Sequence, residues 1–242
     1  MIPHLMRKHL GSLRGNSVLE LGPGYGDNGR IAASIIHASR ITYMDCDQEV
    51  LKYQTTRNDG NGLIGEIRHS ELSPESLREI PGEYDLILCQ EVLEHLSSPQ
   101  AILVALGPKL AEAGRLVVTV PTAVSERAIS CIAPGYMKNG PHGHVQRFNK
   151  QALNDLLCAT GFKVEVCVST QPHYFLTHLV LFASGVHVEE STGRILQQNE
   201  RTRIASLILR ASRRLFMSTG PDFWGRVFPR NYFVVARRAG AV

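Results

Sequence analysis

The sequence predicts an α/β fold: a doubly wound, mostly parallel sheet of seven strands, with a helical lid or insertion between the last two. Three observations carry this expectation. Short apolar runs alternate with stretches of helical spacing through the first 170 residues, the first run ends in a glycine-rich loop, and 60 residues separate the last two runs.

Ser17-Val18-Leu19-Glu20-Leu21 runs into glycines, and Ile31, Ile35 and Ile36 follow at helical spacing, which gives strand, loop and helix. Ile41-Thr42-Tyr43-Met44 reads as the second strand, ending at Asp45, with a helix from about Gln48 that Asp47 can cap. Ile64 to Ile67 is a weaker third strand. Tyr84 to Cys89 is almost continuously apolar, as expected of a central strand covered on both faces. Ser98-Pro99 has the chemistry of a helix start, and Gly114 precedes the buried strand Arg115 to Val120. Asn149 can cap a helix carrying Leu153, Leu156 and Leu157 that Gly161 can end. Phe162 to Val168 and Asn231 to Ala236 read as the last two strands.

All 242 residues are expected to form a single domain, since the length and a hydrophobic content of 43% suffice for one full core. Residues 122–148 show little periodicity and 171–230 form a long connection, so both are expected to cover the substrate. Within the second, Ile204, Leu207, Ile208 and Leu215 have near-helical spacing.

Five scattered cysteines without a CxxC pair suggest neither a disulfide framework nor a zinc site, so no metal is expected and a reducing cytoplasm is the simplest setting. No signal peptide and no membrane-spanning run is apparent. The net charge of +4 is uneven: residues 191–242 hold ten arginines against Glu200 and Asp222. Such a region suits an anionic substrate or surface, or is simply a solvated helix face.

The glycines alone fit two cofactors, because Gly24-Tyr25-Gly26-Asp27-Asn28-Gly29 also satisfies the dinucleotide fingerprint G-x-G-x-x-G, with Asp45 about 20 residues on. Glu20 separates the two readings. A carboxylate at the strand end opposes a pyrophosphate and suits the ammonium of a bound amino acid, which S-adenosylmethionine carries. Asp45 can accept the hydroxyl protons of a ribose in either case.

Val18 to Gly26 resembles the first motif of class I S-adenosylmethionine-dependent methyltransferases, a Rossmann-like family. Tyr84-Asp85-Leu86-Ile87-Leu88-Cys89-Gln90-Glu91-Val92-Leu93-Glu94-His95-Leu96 closely resembles their fourth-strand motif. Ala113 to Pro121 is similar to the fifth-strand segment, and His144 to Phe148 followed by Gly161-Phe162 resembles a pattern of the small-molecule members. The resemblance implies that Gly22, Gly24 and Gly26 line the methionine part, with Glu20 near its amino group. It further implies that Asp45 binds ribose, Cys46 lies against adenine, and Gln90 sits beside the sulfonium. The acidic residue that often bonds the adenine amine has only a loose match here, near Ser70-Glu71.

Methyl transfer from a sulfonium mainly requires alignment and exclusion of water. If the acceptor is a hydroxyl or protonated nitrogen, a histidine suits its deprotonation, with His144 the first candidate and His142 the second. Glu94 and His95 read as groups that orient the following helix, and Cys89 as core. Tyr136, Phe148, Tyr174, Phe175 and Trp224 suggest an aromatic acceptor, and the arginines an anionic one. Nucleic acid is disfavoured, because aromatic and basic residues are not interleaved. Protein acceptors and a homodimer are compatible with the sequence. The competing readings are an NAD(P)-dependent oxidoreductase and a non-catalytic methyltransferase-like binding subunit.

Overall fold

The computed structural model describes residues 2–56, 64–132, 143–170 and 229–240, together with Ala211 and Arg214. Seven strands, β1 (Ser17–Leu21), β2 (Arg40–Asp45), β3 (Ile64–His69), β4 (Tyr84–Gln90), β5 (Leu110–Pro121), β6 (Phe162–Thr170) and β7 (Asn231–Arg238), form one sheet in the order β3-β2-β1-β4-β5-β7-β6. β1 to β5 are parallel, whereas β7 lies antiparallel to both β5 and β6. The helices between them are α1 (Ile2–Leu10), α2 (Asn28–Ile36), α3 (Gln48–Thr56), α4 (Pro74–Glu79), α5 (Pro99–Leu106), α6 (Ala123–Ile132) and α7 (Lys150–Ala159).

Strand alternation divides the core in two. Leu19, Leu21, Ile87, Cys89, Leu116, Val118 and Val120 face α4, α5 and α7, where Leu77, Leu103, Leu106, Leu153 and Leu157 meet them. Val18, Leu86, Leu88, Val117, Phe233 and Val235 face the other layer, with Ala32, Ala33 and Ile36 of α2 and Leu51 of α3. Burying each large side chain contributes about 1.5–3 kcal/mol, so both faces must be covered for the sheet to persist.

The caps expected at Asp47 and Asn149 form: Asp47 Oδ1 accepts from Glu49 N at 2.8 Å and Asn149 Oδ1 from Ala152 N at 2.8 Å. Pro99 opens α5, but Ser98 makes no side-chain cap bond. β5 starts five residues before the expected Arg115. α1 went unread, although Ile2, Leu5, Met6 and Leu10 follow helical spacing and bury against α2 and β7. α6 departs from the irregularity expected of 122–148. Its buried face includes Ser125 and Glu126 beside Ile129, so it has no apolar periodicity to read. The helix predicted around 203–216, the lid aromatics Tyr136, Tyr174, Phe175 and Trp224, and His142 lie outside the described residues.

The start of β1 is tied to β4 by one carboxylate: Asp85 Oδ2 accepts from Asn16 N at 2.7 Å and from Ser17 N and Ser17 Oγ at 3.1 Å. Asp85→Ala should therefore lower the unfolding free energy by about 1–3 kcal/mol, the cost of stranding these donors. Urea unfolding at neutral pH measures this.

Candidate active site

The strand order reverses between β1 and β4, and ligands of open α/β sheets bind beyond the carboxyl ends of the strands at such a point. A cavity of about 920 Å³ opens there. Its wall includes all eight residues expected to hold a cofactor: Glu20, Gly22, Gly24, Gly26, Asp45, Cys46, Ser70 and Gln90. Chain ends of neighbouring strands supply them, so parallel pairing alone brings these distant residues together.

The glycine loop is shaped from three sides. Gly22 and Gly24 have φ of +60° and +53°, which residues with a Cβ rarely adopt. Gly22 N donates to Met44 O at 2.9 Å. The fully buried Gln54 of α3 donates through Nε2 to Gly24 O at 2.7 Å and Gly26 O at 2.8 Å. A Cβ on Gly24 would meet no atom within 4 Å, so the turn leaves open space against the cavity.

Glu20 is 3% exposed. Its carboxylate accepts from the backbone N–H of Gly29 in the first turn of α2. Burial, reinforced by Asp27, raises its pKa to about 8 against the lowering effects of Gly29 N–H and Arg30. A helix N-terminus after a glycine loop is where a dinucleotide pyrophosphate would sit. Here the protein's own Glu20 carboxyl takes that place and occupies the Gly29 N–H that a diphosphate would use. The fingerprint glycine Gly29 serves this packing, since a Cβ on it would fall 2.1 Å from Glu20 Oε2.

Asp45 is half-buried, its pKa raised chiefly by burial, and its Oδ1 accepts from Asp47 N at 2.9 Å. Ser70 N reaches Asp45 O at 3.0 Å, which holds the β3 end beside the β2 end. Cys46 is exposed, its thiol pushed up by partial burial and then by Asp45. Gln90 is 9% exposed, and neither the oxygen nor the nitrogen of its carboxamide has a hydrogen-bond partner among the described residues. A buried unsatisfied amide on a cavity wall is a group awaiting a ligand. Together with the carboxylates of Glu20 and Asp45, it fits a ligand that carries an ammonium and hydroxyls and no phosphate.

The cavity wall also includes Glu91, Val92, His95, Leu96, Thr119, Arg230 and Asn231. Glu91 has φ of +53°, a strained conformation for a residue with a side chain. Its Oε1 accepts from Thr119 Oγ1 at 3.0 Å and Asn231 Nδ2 at 2.7 Å. Behind this wall, Glu126 of α6 is fully buried, with Oε2 3.0 Å from His144 Nδ1 and Oε1 3.2 Å from Arg230 Nη1. His144 is not itself on the cavity wall but packs edge-on against His95, which is, with ring centroids 4.7 Å apart. Val145 N and Gln146 N donate to Glu94 O at 2.8 and 3.0 Å, so the backbone of residue 94 pins the segment carrying His144. The role expected for Glu94 and His95, orienting the next helix, omits this junction. Sequence reasoning also passed over Gln54, Glu126 and Asn231.

Three arginines of the arginine-rich region are ion-paired within the chain. Arg230 pairs with Glu126, Arg237 with Glu165 at 3.2 Å, and Arg238 Nη1 lies 4.0 Å from Glu83. Arg214 is exposed.

Sheet order and cavity define an α/β domain with a cavity at the β1/β4 crevice and the Glu20 carboxyl set against the first turn of α2. Residues 4–166 match the family model of the methyltransferase domain, and the chain belongs to that family, within the S-adenosylmethionine-dependent methyltransferases. Over 107 residues it is 32% identical to a ubiquinone biosynthesis O-methyltransferase of Bordetella parapertussis, covering 44% of this chain and 43% of that protein. Matched segments span 27% to 60% of the lengths of the first curated relatives. Among solved structures, an S-adenosylmethionine-dependent methyltransferase from Mesorhizobium loti superposes with a TM-score of 0.58 at 14% identity, covering 97% of this chain and 96% of that one. Magnesium protoporphyrin IX methyltransferase from Synechocystis, with S-adenosylhomocysteine bound, gives a TM-score of 0.56 at 13% identity, covering 98% and 81%. These two likenesses show the fold. No helix among the described residues is long and apolar enough to cross a membrane.

Proposed function

We propose that the chain transfers a methyl group from S-adenosylmethionine to an oxygen or nitrogen of a small molecule in a biosynthetic pathway. The observation that supports this is one cavity with two chemically distinct walls. One carries the Glu20 carboxylate, the glycine loop and the Asp45 carboxylate, and the other carries Glu91, His95 and Arg230.

On this reading Glu20 holds the ammonium of the cofactor and the backbone of Gly22, Gly24 and Gly26 lies along its methionine part. Asp45 takes the ribose hydroxyls, Cys46 and Ser70 border the adenine, and Gln90 turns its unsatisfied amide toward the region of the sulfur. The cofactor supplies a methyl group already activated by its sulfonium charge. The protein's part is alignment and exclusion of water. His144, behind the cavity wall with its Nδ1 on Glu126 and its ring against that of His95, is the first candidate for the base that takes the acceptor's proton, with His142 the second. The acceptor on this reading is an aromatic or anionic small molecule, and the curated relatives named as O-methyltransferases support oxygen as the methylated atom.

Calorimetry tests the cofactor half. S-adenosylhomocysteine should bind with a dissociation constant at or below the micromolar range, NAD should not bind, and Asp45→Ala should weaken the first about tenfold or more, since it removes charge-assisted bonds of about 1.5–3 kcal/mol. Release of S-adenosylhomocysteine from S-adenosylmethionine across a panel of phenols, hydroxy acids and amines tests the acceptor half. Binding of NAD without S-adenosylhomocysteine would overturn the proposal.

A further inference from the structure

Glu94, His95 and His144 each offer one ligand atom, and these atoms lie within 4.8 Å of one another. No such trio is legible in the sequence, where 49 positions separate the two histidines. The short 3₁₀ turn Leu93–His95 and its backbone bonds to Val145 and Gln146 bring them together.

Two further observations point to a ligand at this place. Glu94 is 1% exposed, and neither of its carboxylate oxygens has a hydrogen-bond partner on another described residue. A buried carboxylate left in that state is costly unless something positive meets it. Among the described residues its charged neighbours include Glu91, Glu126 and Arg230, and Arg230 is already bonded to Glu126. The second observation concerns His144. Its Nδ1 is held by Glu126, which favours the tautomer whose lone pair sits on Nε2, and a carboxylate behind a histidine in this way is the usual outer support of a metal-binding imidazole.

We propose that Glu94, His95 and His144 form a site for a divalent transition-metal cation, with Glu126 and Arg230 as its outer support. Two imidazoles and one carboxylate suit zinc, cobalt, manganese or ferrous iron better than calcium or magnesium, which prefer oxygen donors throughout. Bonds of about 2.1 Å draw such ligands to roughly 3.4 Å from one another, a contraction that side-chain rotation supplies. Three protein ligands leave coordination positions open, and one of the three, His95, lies on the cavity wall. A cation there binds an acceptor hydroxyl and makes its oxygen more acidic. This rests on the proposed methyl transfer and assigns to a metal the activation otherwise given to His144 as a base.

The test is a titration of the chelator-treated full chain with cobalt(II), read by its visible absorption, alongside S-adenosylhomocysteine calorimetry on the same preparation. One cobalt per chain is expected. Glu94→Gln and His144→Ala should each weaken it at least tenfold, and Glu126→Gln, which keeps the shape of the outer support, about 10–100-fold. Circular dichroism confirms that each variant is folded. Absence of saturable cobalt binding, or binding unchanged in all three folded variants, overturns the metal site. If cobalt then fails while S-adenosylhomocysteine binds, only the metal inference falls. If cobalt binds and S-adenosylhomocysteine does not, the metal site stands and the cofactor reading falls.

Discussion

Gly29→Ala should lower the unfolding free energy by about 3 kcal/mol and reduce S-adenosylhomocysteine affinity at least tenfold, the larger of the single-residue effects expected in this chain. The added methyl would sit 2.1 Å from Glu20 Oε2 and 2.7 Å from Ile41 Cδ1. Neither neighbour can give way freely, because Glu20 and Ile41 are both buried in strands of the sheet centre. Overpacking of this kind costs about 1–3 kcal/mol, and displacing the carboxylate also strands the Gly29 N–H. Chemical denaturation measures the first effect and calorimetry the second. The shorter Glu20→Asp side chain withdraws the clashing oxygen, so the double variant Glu20→Asp with Gly29→Ala should lose less stability than the two single changes together. Strict additivity would mean that the glycine serves some purpose other than making room for Glu20.

The same residue shows what the sequence could and could not convey. Gly29 completes a dinucleotide fingerprint, and its spacing says nothing of the side chain packed on it. Glu20, two residues before the loop, was legible as the discriminating charge because strand, loop and helix are contiguous. Asp45, Cys46, Ser70 and Gln90 were legible for a related reason: each ends or follows a parallel strand, and parallel strands bring their ends to one edge. The acceptor wall has no such shorthand. Asn231 reaches Glu91 across 140 positions and Arg230 reaches Glu126 across 104. Both depend on β7 running antiparallel beside β5, a pairing that no local pattern announces. Gln54 and Glu126 were hidden because buried polar residues on a helix blur the apolar period, and their partners are backbone carbonyls or other buried charges.

On the proposed reading, Glu20 also makes cofactor binding depend on protons. Its carboxyl has a pKa of about 8 in the folded protein against an ordinary 4.5. Between those values the folded state keeps a proton that the unfolded chain has released, so the stability this group contributes is full below about pH 4.5 and is lost as pH rises through about 8. At about 1.4 kcal/mol per unit, this one group removes on the order of 5 kcal/mol from the ligand-free protein over that window. An ammonium placed beside the carboxyl favours its charged form and reverses the shift. On the proposed reading, S-adenosylhomocysteine at pH 7 should therefore displace close to one proton per chain, and its affinity should rise with pH from 6 to 8. Calorimetry in two buffers of different ionisation heat counts that proton. Glu20→Gln keeps an oxygen for Gly29 N–H but cannot ionise, so it should abolish the release and flatten the affinity profile. Equal binding heats in both buffers for the unmodified chain would mean that the ammonium lies elsewhere, and that the carboxyl at the end of β1 only supports the first turn of α2.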